Sequence, residues 1–309
     1  MGCLRFLLLL PLLSACGARP TASDGGLRPC PAAGGELCFL LTPAECGLAG
    51  QGAQVDQYAL RPPTAARGQL LVFLNGTGGT PLAGASGLER SWYGVARAEG
   101  LHVLGISYRS GAAVGTLCQG DDACFEPTRL SQVTGVPQPG AASALDDLVV
   151  DEGIEVRLAA ALRTLAQRDL DGGWGEFLDT PDGGGAEVRW ERLFVSGHSQ
   201  GGGHAALLAK RHLVGRVLML ASPCDALRDG QPASWLSDAT GWATTPSTRF
   251  FGLWAQGDTT CAAAPAAWER LGMPAAARDL TAEICPGQAA HSAPLVCLTN
   301  EQQWRAMLR

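Results

Sequence analysis

Residues 192–206 read RLFVSGHSQGGGHAA, and this stretch carries the strongest indication of the fold. Residues 193–195 form a short apolar run, which is typical of a strand buried on both faces of a parallel sheet. Residues 204–209 have the composition of a helix. Gly197 and Gly201 allow a sharp turn between the two elements, where a side chain would clash. The stretch therefore predicts a strand, a tight turn and a helix in direct succession.

Ser199 lies at the tip of this turn, in the pattern Gly-x-Ser-x-Gly. A serine hydroxyl becomes a strong nucleophile only when a neighbouring base removes its proton. A turn of this kind exposes the hydroxyl at the edge of a sheet, and the N-terminus of the following helix favours negative charge there. Ser199 is therefore the candidate nucleophile. We interpret His198, His204 and His212 as structural or surface histidines.

Short apolar runs bounded by turn residues recur along the chain. They predict strands at residues 70–74, 101–108, 192–196, 216–221 and 250–255. Helical periodicity or composition predicts helices at residues 143–168, after Ser199, near residues 262–271 and at residues 300–308. Strands that alternate with helices predict an α/β fold, with a doubly wound, mostly parallel sheet and helices on both faces.

Two segments interrupt this alternation. Residues 109–142 follow the second strand, and we expect them to form one rim of the site. Residues 171–190 are rich in glycine and aspartate and predict a surface hairpin. Only about 28 residues separate the fourth and fifth strands, which is too few for a large cap domain. Trp235 and Trp242 lie in that connection, either as a pocket wall or in ordinary packing.

The general base is expected near the end of the chain, after the last strand. His291 is the only histidine after His212, and it lies in a loop of small residues. The acid that orients it is predicted to be Asp258, which directly follows the strand at 250–255. Asp225, after the preceding strand, is the alternative acid, because it also falls between the serine and the histidine.

A tetrahedral oxyanion needs two backbone N–H donors. One is expected from Gln200, directly after the nucleophile, and the other from the glycine-rich loop at residues 75–79, which follows the first long strand. In this loop Thr77 is the predicted second donor, with Gly76 as the neighbouring candidate.

These residues together resemble the α/β-hydrolase superfamily over residues 54–309, and the run at 197–206 is similar to exported bacterial esterase-like serine hydrolases. The resemblance implies hydrolysis of carboxylic esters through an acyl-enzyme, with Ser199, His291 and Asp258 as the triad and no cofactor. One departure is the first loop, which begins Asn-Gly where the family often has His-Gly.

The N-terminus predicts export. Residues 1–15 combine Arg5 with a short apolar run, which is the pattern of a signal peptide. The ending Leu-Ser-Ala before Cys16 resembles the bacterial lipobox, which implies cleavage before Cys16 and its lipidation. Residues 16–53 are then a Gly- and Pro-rich tether with a cysteine-containing segment, ahead of a catalytic domain at 54–309. In lipoproteins of this kind, an aspartate after the lipidated cysteine is associated with retention in the inner membrane. Gly17 occupies that position here, so the resemblance implies a location at the outer membrane or the periplasmic face of the envelope.

The chain has 11 cysteines, of which nine remain after Cys3 and Cys16 are set aside. In an exported protein this number predicts disulfides, and an odd number leaves at least one thiol free. Cys118 and Cys124 close a short loop and form a candidate pair. The scattered histidines and the lack of Cys-x-x-Cys argue against a metal site.

The net charge of −6 and the lack of a basic stripe argue against nucleic acid as a partner. The expected partners are a small-molecule or polymeric ester and, through Cys16, a membrane. An acyltransferase, and a peptidase or amidase, are alternatives that use the same triad. A binding lipoprotein without catalysis is a third alternative, against which the complete Ser, Asp, His order argues.

Overall fold

The computed structural model describes residues 27–30, 37–49, 55–63, 66–85, 91–179, 187–237, 244–278 and 280–309. Within these residues the strands are β1 (Arg28–Pro29), β2 (Cys38–Leu41), β3 (Gln57–Leu60), β4 (Leu70–Leu74), β5 (His102–Ile106), β6 (Leu178–Asp179), β7 (Glu187–Val188), β8 (Leu193–His198), β9 (Arg216–Leu220), β10 (Phe250–Trp254) and β11 (Leu280–Thr281). The α-helices are α1 (Trp92–Ala98), α2 (Val114–Cys118), α3 (Asp122–Thr134), α4 (Ile154–Arg168), α5 (Gln200–Arg211), α6 (Ala264–Arg270), α7 (Ala275–Arg278), α8 (Ala293–Val296) and α9 (Glu301–Leu308). The expected signal peptide at 1–15, Cys16 and Trp242 lie outside the described residues.

Nine of these strands form one sheet in the order β1-β2-β3-β5-β4-β8-β9-β10-β11. From β5 to β11 the neighbouring strands of the sheet are parallel, whereas β3 is antiparallel to both of its neighbours. From β2 onward this is the strand order of the α/β-hydrolase fold, so the fold class predicted from the sequence is confirmed. Because β4 and β8 are adjacent, the loops that follow their carboxyl ends meet at one edge of the sheet.

Strand β4 shows why the sheet is covered on both faces. All five of its residues are buried. Leu70, Val72 and Leu74 belong to one apolar core, which α3, α4 and α5 complete. Leu71 and Phe73 point the other way, into a core that α1 and α9 complete. The continuous apolar run therefore marks a strand buried on both sides, as the doubly wound arrangement requires.

The five predicted strands correspond to β4, β5, β8, β9 and β10, and their ends differ from the prediction by at most about two residues. The helices expected after Ser199, near 262–271 and at 300–308 correspond to α5, α6 and α9. The described part of the connection between β9 and β10 holds only short 3₁₀ turns, at Ser234–Leu236 and Ser247–Arg249, and no cap domain.

The helix predicted over residues 143–168 begins later than expected, so the first part of that prediction is wrong. Ser143–Leu145 and Val150–Glu152 form single 3₁₀ turns, and α4 starts at Ile154. Helix α4 does not extend N-terminally beyond Ile154, because the backbone of Gly153 is extended, with ψ 138°. It also packs on the end of α3, where a Cβ would lie 2.5 Å from the carbonyl carbon of Thr134.

The interrupting segments have the expected character. Residues 109–142 contain α2 and α3, joined by the predicted disulfide between Cys118 and Cys124. In residues 171–190, β6 and β7 pair as an antiparallel hairpin. The sheet itself starts at β1 and β2, before the boundary at residue 54 that the sequence predicts for the catalytic domain. No helix among the described residues is long and apolar enough to span a bilayer.

Four disulfides lie in the described residues: Cys30–Cys38, Cys118–Cys124, Cys224–Cys261 and Cys285–Cys297. Cys46 is a free, half-buried thiol, and burial raises the pKa of that thiol. The prediction that an odd number of cysteines leaves one unpaired is therefore confirmed for this part of the chain.

Candidate active site

Ser199 occupies the turn between β8 and α5 in a strained conformation. Its φ is 55° and its ψ −120°, a region that non-glycine residues rarely adopt. Its N–H donates to the carbonyl of Leu220 in the adjacent strand β9, at 2.9 Å. A Cβ at Gly197 would lie 2.2 Å from the carbonyl carbon of Gly201, and a Cβ at Gly201 would lie 2.0 Å from the carbonyl oxygen of Leu74. The two glycines are therefore required by close backbone contact, which holds the serine in place.

The next two glycines each allow a close contact, with a different neighbour in each case. A Cβ at Gly202 would lie 2.5 Å from the Cβ of Ser222, so this glycine lets α5 approach the segment after β9. A Cβ at Gly203 would lie 2.3 Å from Cζ of Arg129. The guanidinium of Arg129 is thus packed directly against the backbone of α5, which the sequence did not predict.

His291 and Asp258 form a hydrogen-bonded pair. His291 Nδ1 lies 2.9 Å from Asp258 Oδ2, with the carboxylate fully buried and the imidazole 20% exposed. The other carboxylate oxygen, Oδ1, accepts the backbone N–H groups of Thr260 at 2.9 Å and Cys261 at 3.1 Å. A carboxylate at Nδ1 selects the tautomer with the proton on Nδ1, which leaves Nε2 as a proton acceptor.

Asp225, the alternative acid, has other partners. Its carboxylate accepts Nε of Arg129 at 2.6 Å and Nη2 at 2.5 Å, in a bidentate pair, and the indole N–H of Trp235 at 2.8 Å. Both charged side chains are 1% exposed. The structure therefore brings Asp258, and not Asp225, to His291. Trp235 is a buried packing residue against this ion pair.

The loop at residues 75–79 is folded by its own asparagine. Asn75 Nδ2 donates to the carbonyls of Gly76 and Gly79 at 2.9 and 3.0 Å, and to the hydroxyl of Ser110 at 3.1 Å. The N–H of Gly79 donates to the carbonyl of Gly76 at 3.0 Å, and Gly78 has φ 67°, as a glycine in a type II turn does. Asn75 therefore has a structural role, since its side chain holds the loop in this turn.

This loop lies against Ser199. A Cβ at Gly76 would be 3.2 Å from the Cβ of Ser199. Thr77 Oγ1 donates to the side-chain carbonyl of Gln200 at 2.7 Å, which joins the loop to the start of α5. The three predicted oxyanion residues, Gly76, Thr77 and Gln200, are thus placed around Ser199.

One cavity of about 550 Å³ joins these groups. Ser199, His291, Gly76, Thr77 and Gln200 all line it. Its remaining wall includes residues 113–116, from the start of α2, together with Arg129 of α3. The insert at 109–142 therefore forms one rim of the cavity, as the sequence analysis expects.

His198 belongs to the site, which the sequence analysis missed. Its Nε2–H donates to the backbone carbonyl of His291 at 2.8 Å, and the two rings lie 4.8 Å apart between centroids. Burial lowers the pKa of His198 to about 4, so this imidazole is neutral at pH 7. His198 therefore positions the loop that carries His291. No local signal marks it, because the partner is 93 residues away.

The three remaining histidines have packing or surface contacts. His102 lies in β5 and bonds to the carbonyl of Gly172, and burial lowers its pKa. His204 is fully buried against the ring of Tyr108, and burial lowers its pKa well below the usual value. His212 contacts Glu155 at the surface.

Among the described residues, one group has the side-chain types of a metal site: Asp258, Cys261 and His291, with ligand atoms within 4.8 Å of one another. Cys261 is bonded to Cys224, so its sulfur is not available as a thiolate. Asp258 and His291 are already paired with each other. The donor set does not suit a metal ion.

Comparison with known proteins gives structural similarity only. No protein-family model matches the chain, and no curated protein matches it. The chain is similar in structure to an α/β serine hydrolase homologue from Coxiella burnetii, with 13% sequence identity and a TM-score of 0.41, over 88% of this chain and 94% of that chain. It is also similar to XC6422 from Xanthomonas campestris, described as an α/β serine hydrolase without a lid, with 13% identity and a TM-score of 0.41, over 87% and 93% of the two chains. A third similar structure is EstE1, a carboxylesterase from a metagenomic library, with 13% identity, a TM-score of 0.41 and coverage of 88% and 89%. Similarity of this degree does not extend to activity or substrate.

Proposed function

We propose that the protein is a serine hydrolase that cleaves carboxylic esters through an acyl-enzyme. The observation that carries the proposal is that Ser199, on a strained turn, lines the same cavity as His291, which is hydrogen-bonded to the buried Asp258. A nucleophile, a base with a free Nε2 and a buried carboxylate that orients the base are the parts that acyl transfer needs.

In the proposed mechanism, Ser199 Oγ attacks the ester carbonyl while His291 Nε2 accepts its proton. Asp258 holds the imidazole and stabilises its protonated form. The backbone N–H groups of Gln200 and Thr77, with Gly76 as the neighbouring donor, bind the oxyanion. His291 then gives its proton to the leaving alcohol. Water, activated by the same imidazole, releases the acid and restores Ser199.

The cavity supports a substrate of limited size near the scissile bond. Its volume of about 550 Å³ lies in the usual range for small-molecule sites. Residues 113–116 contribute small side chains to the cavity wall, and the ion-paired Arg129 and Asp225 also line it. An apolar chain placed against this ion pair gains little from burial. We therefore propose preference for short acyl groups over long ones.

The proposed function is tested with p-nitrophenyl esters from acetate to palmitate, with wild type and Ser199→Ala expressed as full chains in an oxidising compartment. We expect hydrolysis that is fastest for short chains and falls by at least about 10³-fold in the variant. Equal rates in wild type and variant would assign the activity to another residue or protein. Cleavage of p-nitroanilides in preference to esters would indicate an amidase, and acyl transfer to added alcohol in preference to water would indicate a transferase.

We also propose that the protein is exported and anchored to the cell envelope through a lipid on Cys16. The four disulfides support an oxidising compartment. The test is incorporation of labelled palmitate in a bacterial host, with Cys16→Ser as the control. Label in the wild type and not in the variant is expected. A soluble, unlabelled wild type would contradict the anchor and leave the proposed activity untouched.

A further inference from the structure

The disulfide between Cys224 and Cys261 joins two loops that meet at the site. Cys224 lies in the loop after β9, and Cys261 lies 37 residues later, in the loop after β10 that also carries Asp258. Strands β9 and β10 are parallel neighbours, so both loops leave the same edge of the sheet. The bond is therefore a covalent link across the carboxyl ends of the strands, where the candidate triad is assembled.

On one side, the disulfide holds the acid. The backbone N–H of Cys261 donates to Asp258 Oδ1 at 3.1 Å, next to the N–H of Thr260 at 2.9 Å. These two donors fix one carboxylate oxygen and leave Oδ2 for His291, at 2.9 Å. Because Cys261 is 1% exposed and bonded through its sulfur, its N–H has little freedom to move away from the carboxylate.

On the other side, the disulfide contacts the nucleophile. Cys224 Sγ lies 3.8 Å from Ser199 Oγ and lines the cavity. The next residue, Asp225, is held by Arg129, which also donates from Nη1 to the carbonyl of Gln200 at 3.0 Å. A continuous set of bonds thus connects the loop of the acid to the turn of the nucleophile.

We propose that the Cys224–Cys261 disulfide is a positioning element of the active site: it fixes the Asp258 loop relative to Ser199 and forms part of the wall beside the serine hydroxyl. This inference rests on the proposed ester hydrolysis. Loss of the bond frees the acid loop to shift, and a misplacement of about 1 Å in catalytic geometry lowers turnover by up to about 100-fold. The effect falls on kcat more than on KM, since the orientation of the triad is used in the transition state.

The experiment compares the full-length wild type with Cys224→Ala/Cys261→Ala and with Cys30→Ala/Cys38→Ala. The second variant is the control, because Cys30 and Cys38 also form a disulfide and are buried, as Cys261 is, but lie at the β1–β2 edge of the sheet. We expect kcat for p-nitrophenyl acetate to fall roughly 10- to 100-fold in the first variant, with KM within about threefold. The control should keep both constants within about twofold, even if its unfolding temperature falls as much.

A double-mutant cycle with Asp258→Asn separates positioning from general loss of stability. If the disulfide acts through Asp258, the two cysteine substitutions should lower kcat much less in the Asp258→Asn background than in the wild type. Full additivity, or a kcat within twofold of wild type in the cysteine variant, would overturn the inference. A wild type without esterase activity would instead refute the proposed function, so the two failures are distinct.

Partial reduction of the wild type tests the same inference even if the cysteine variant does not fold. Dithiothreitol breaks the S–S bond, two thiols form, and the reagent is oxidised to its cyclic disulfide. After alkylation, peptide mapping gives the reduced fraction of each disulfide. We expect the loss of activity to follow the reduction of Cys224–Cys261 and to reverse on reoxidation. A loss that follows another pair, or full activity when this pair is reduced, would overturn the inference.

Discussion

Replacement of two buried aspartates by asparagine should have opposite consequences for catalysis and stability. Asp258 accepts a hydrogen bond from His291, and Asp225 neutralises Arg129. Both are nearly inaccessible, at 2% and 1% exposed. Asparagine has almost the same shape but no charge, so each substitution removes one electrostatic interaction and leaves the packing nearly unchanged. The pair of variants therefore separates the proposed acid of the triad from a structural carboxylate.

In Asp258→Asn, the imidazole of His291 loses the carboxylate that fixes its tautomer and stabilises its charge. A change of this kind in a Ser-His-Asp triad lowers kcat about 10⁴-fold, or about 5 kcal/mol in the activation free energy. The fold should lose only about 1.5–3 kcal/mol, the usual contribution of hydrogen bonds to a charged group.

In Asp225→Asn, the guanidinium of Arg129 stays buried without its counter-charge. Breaking a buried ion pair by removing one partner costs about 3–5 kcal/mol. For a domain of this size, such a loss lowers the unfolding temperature by roughly 6–20 °C. At 20 °C, where the protein remains folded, kcat should change by less than about tenfold, since the carboxylate does not touch His291.

The assay measures kcat for p-nitrophenyl acetate at 20 °C and thermal unfolding by circular dichroism for both variants. The expected result is an inactive, moderately destabilised Asp258→Asn and an active, more strongly destabilised Asp225→Asn. If folded Asp225→Asn lost catalysis while Asp258→Asn kept it, the assignment of the acid from the structure would be refuted.

Three further outcomes are expected. Gly201→Ala places a Cβ 2.0 Å from a carbonyl oxygen of β4, so it should lower the free energy of unfolding in urea by about 1–3 kcal/mol or more. In the control Gly175→Ala no atom lies within 4 Å of the new Cβ, and the free energy of unfolding should change by less than about 1 kcal/mol. Equal effects of the two substitutions would contradict the close contact at Gly201. Burial lowers the pKa of His198 to about 4, so as the pH falls the imidazole is protonated in the unfolded chain before it is protonated in the folded one. The free energy of unfolding should therefore decline between about pH 6.5 and pH 4, and it should decline less steeply in His198→Asn. The same dependence on pH in both proteins would refute the contribution of His198. Thr77→Val removes the 2.7 Å hydrogen bond to Gln200 and should lower kcat roughly 2- to 12-fold, with little change in KM. An unchanged kcat would show that this hydrogen bond does not position the oxyanion loop.

The sequence predicts those features that depend on neighbouring residues. Continuous apolar runs predict β4 and β8, because each strand is buried on both faces. Such a strand can be recognised without knowing which strands it pairs with. The chain order of serine, aspartate and histidine selects Asp258 and His291 as candidates, because the fold returns successive strands to the same edge. The start of α4 was missed because a contact between Gly153 and the end of α3 overrides the local helical pattern.

The features that the sequence did not predict depend on contacts between distant residues. Arg129 lies 96 residues from Asp225, and nothing in either local segment indicates a buried ion pair. Cys224 and Cys261 are two of nine cysteines whose pairing cannot be worked out from spacing. His198 occupies the variable position of its motif, and only the folded chain shows that it donates to the backbone of His291. Long-range packing thus supplies the surroundings of the candidate triad.

Covalent labelling with a fluorophosphonate shows whether Ser199 is an activated nucleophile. The folded full-length protein is incubated with the probe, and intact mass and peptide mapping are measured beside Ser199→Ala. We expect one phosphonyl adduct in the wild type, located on Ser199, and none in the variant. A folded wild type that takes up no probe, or an adduct on another residue that persists in Ser199→Ala, would contradict the assignment of Ser199 as the nucleophile.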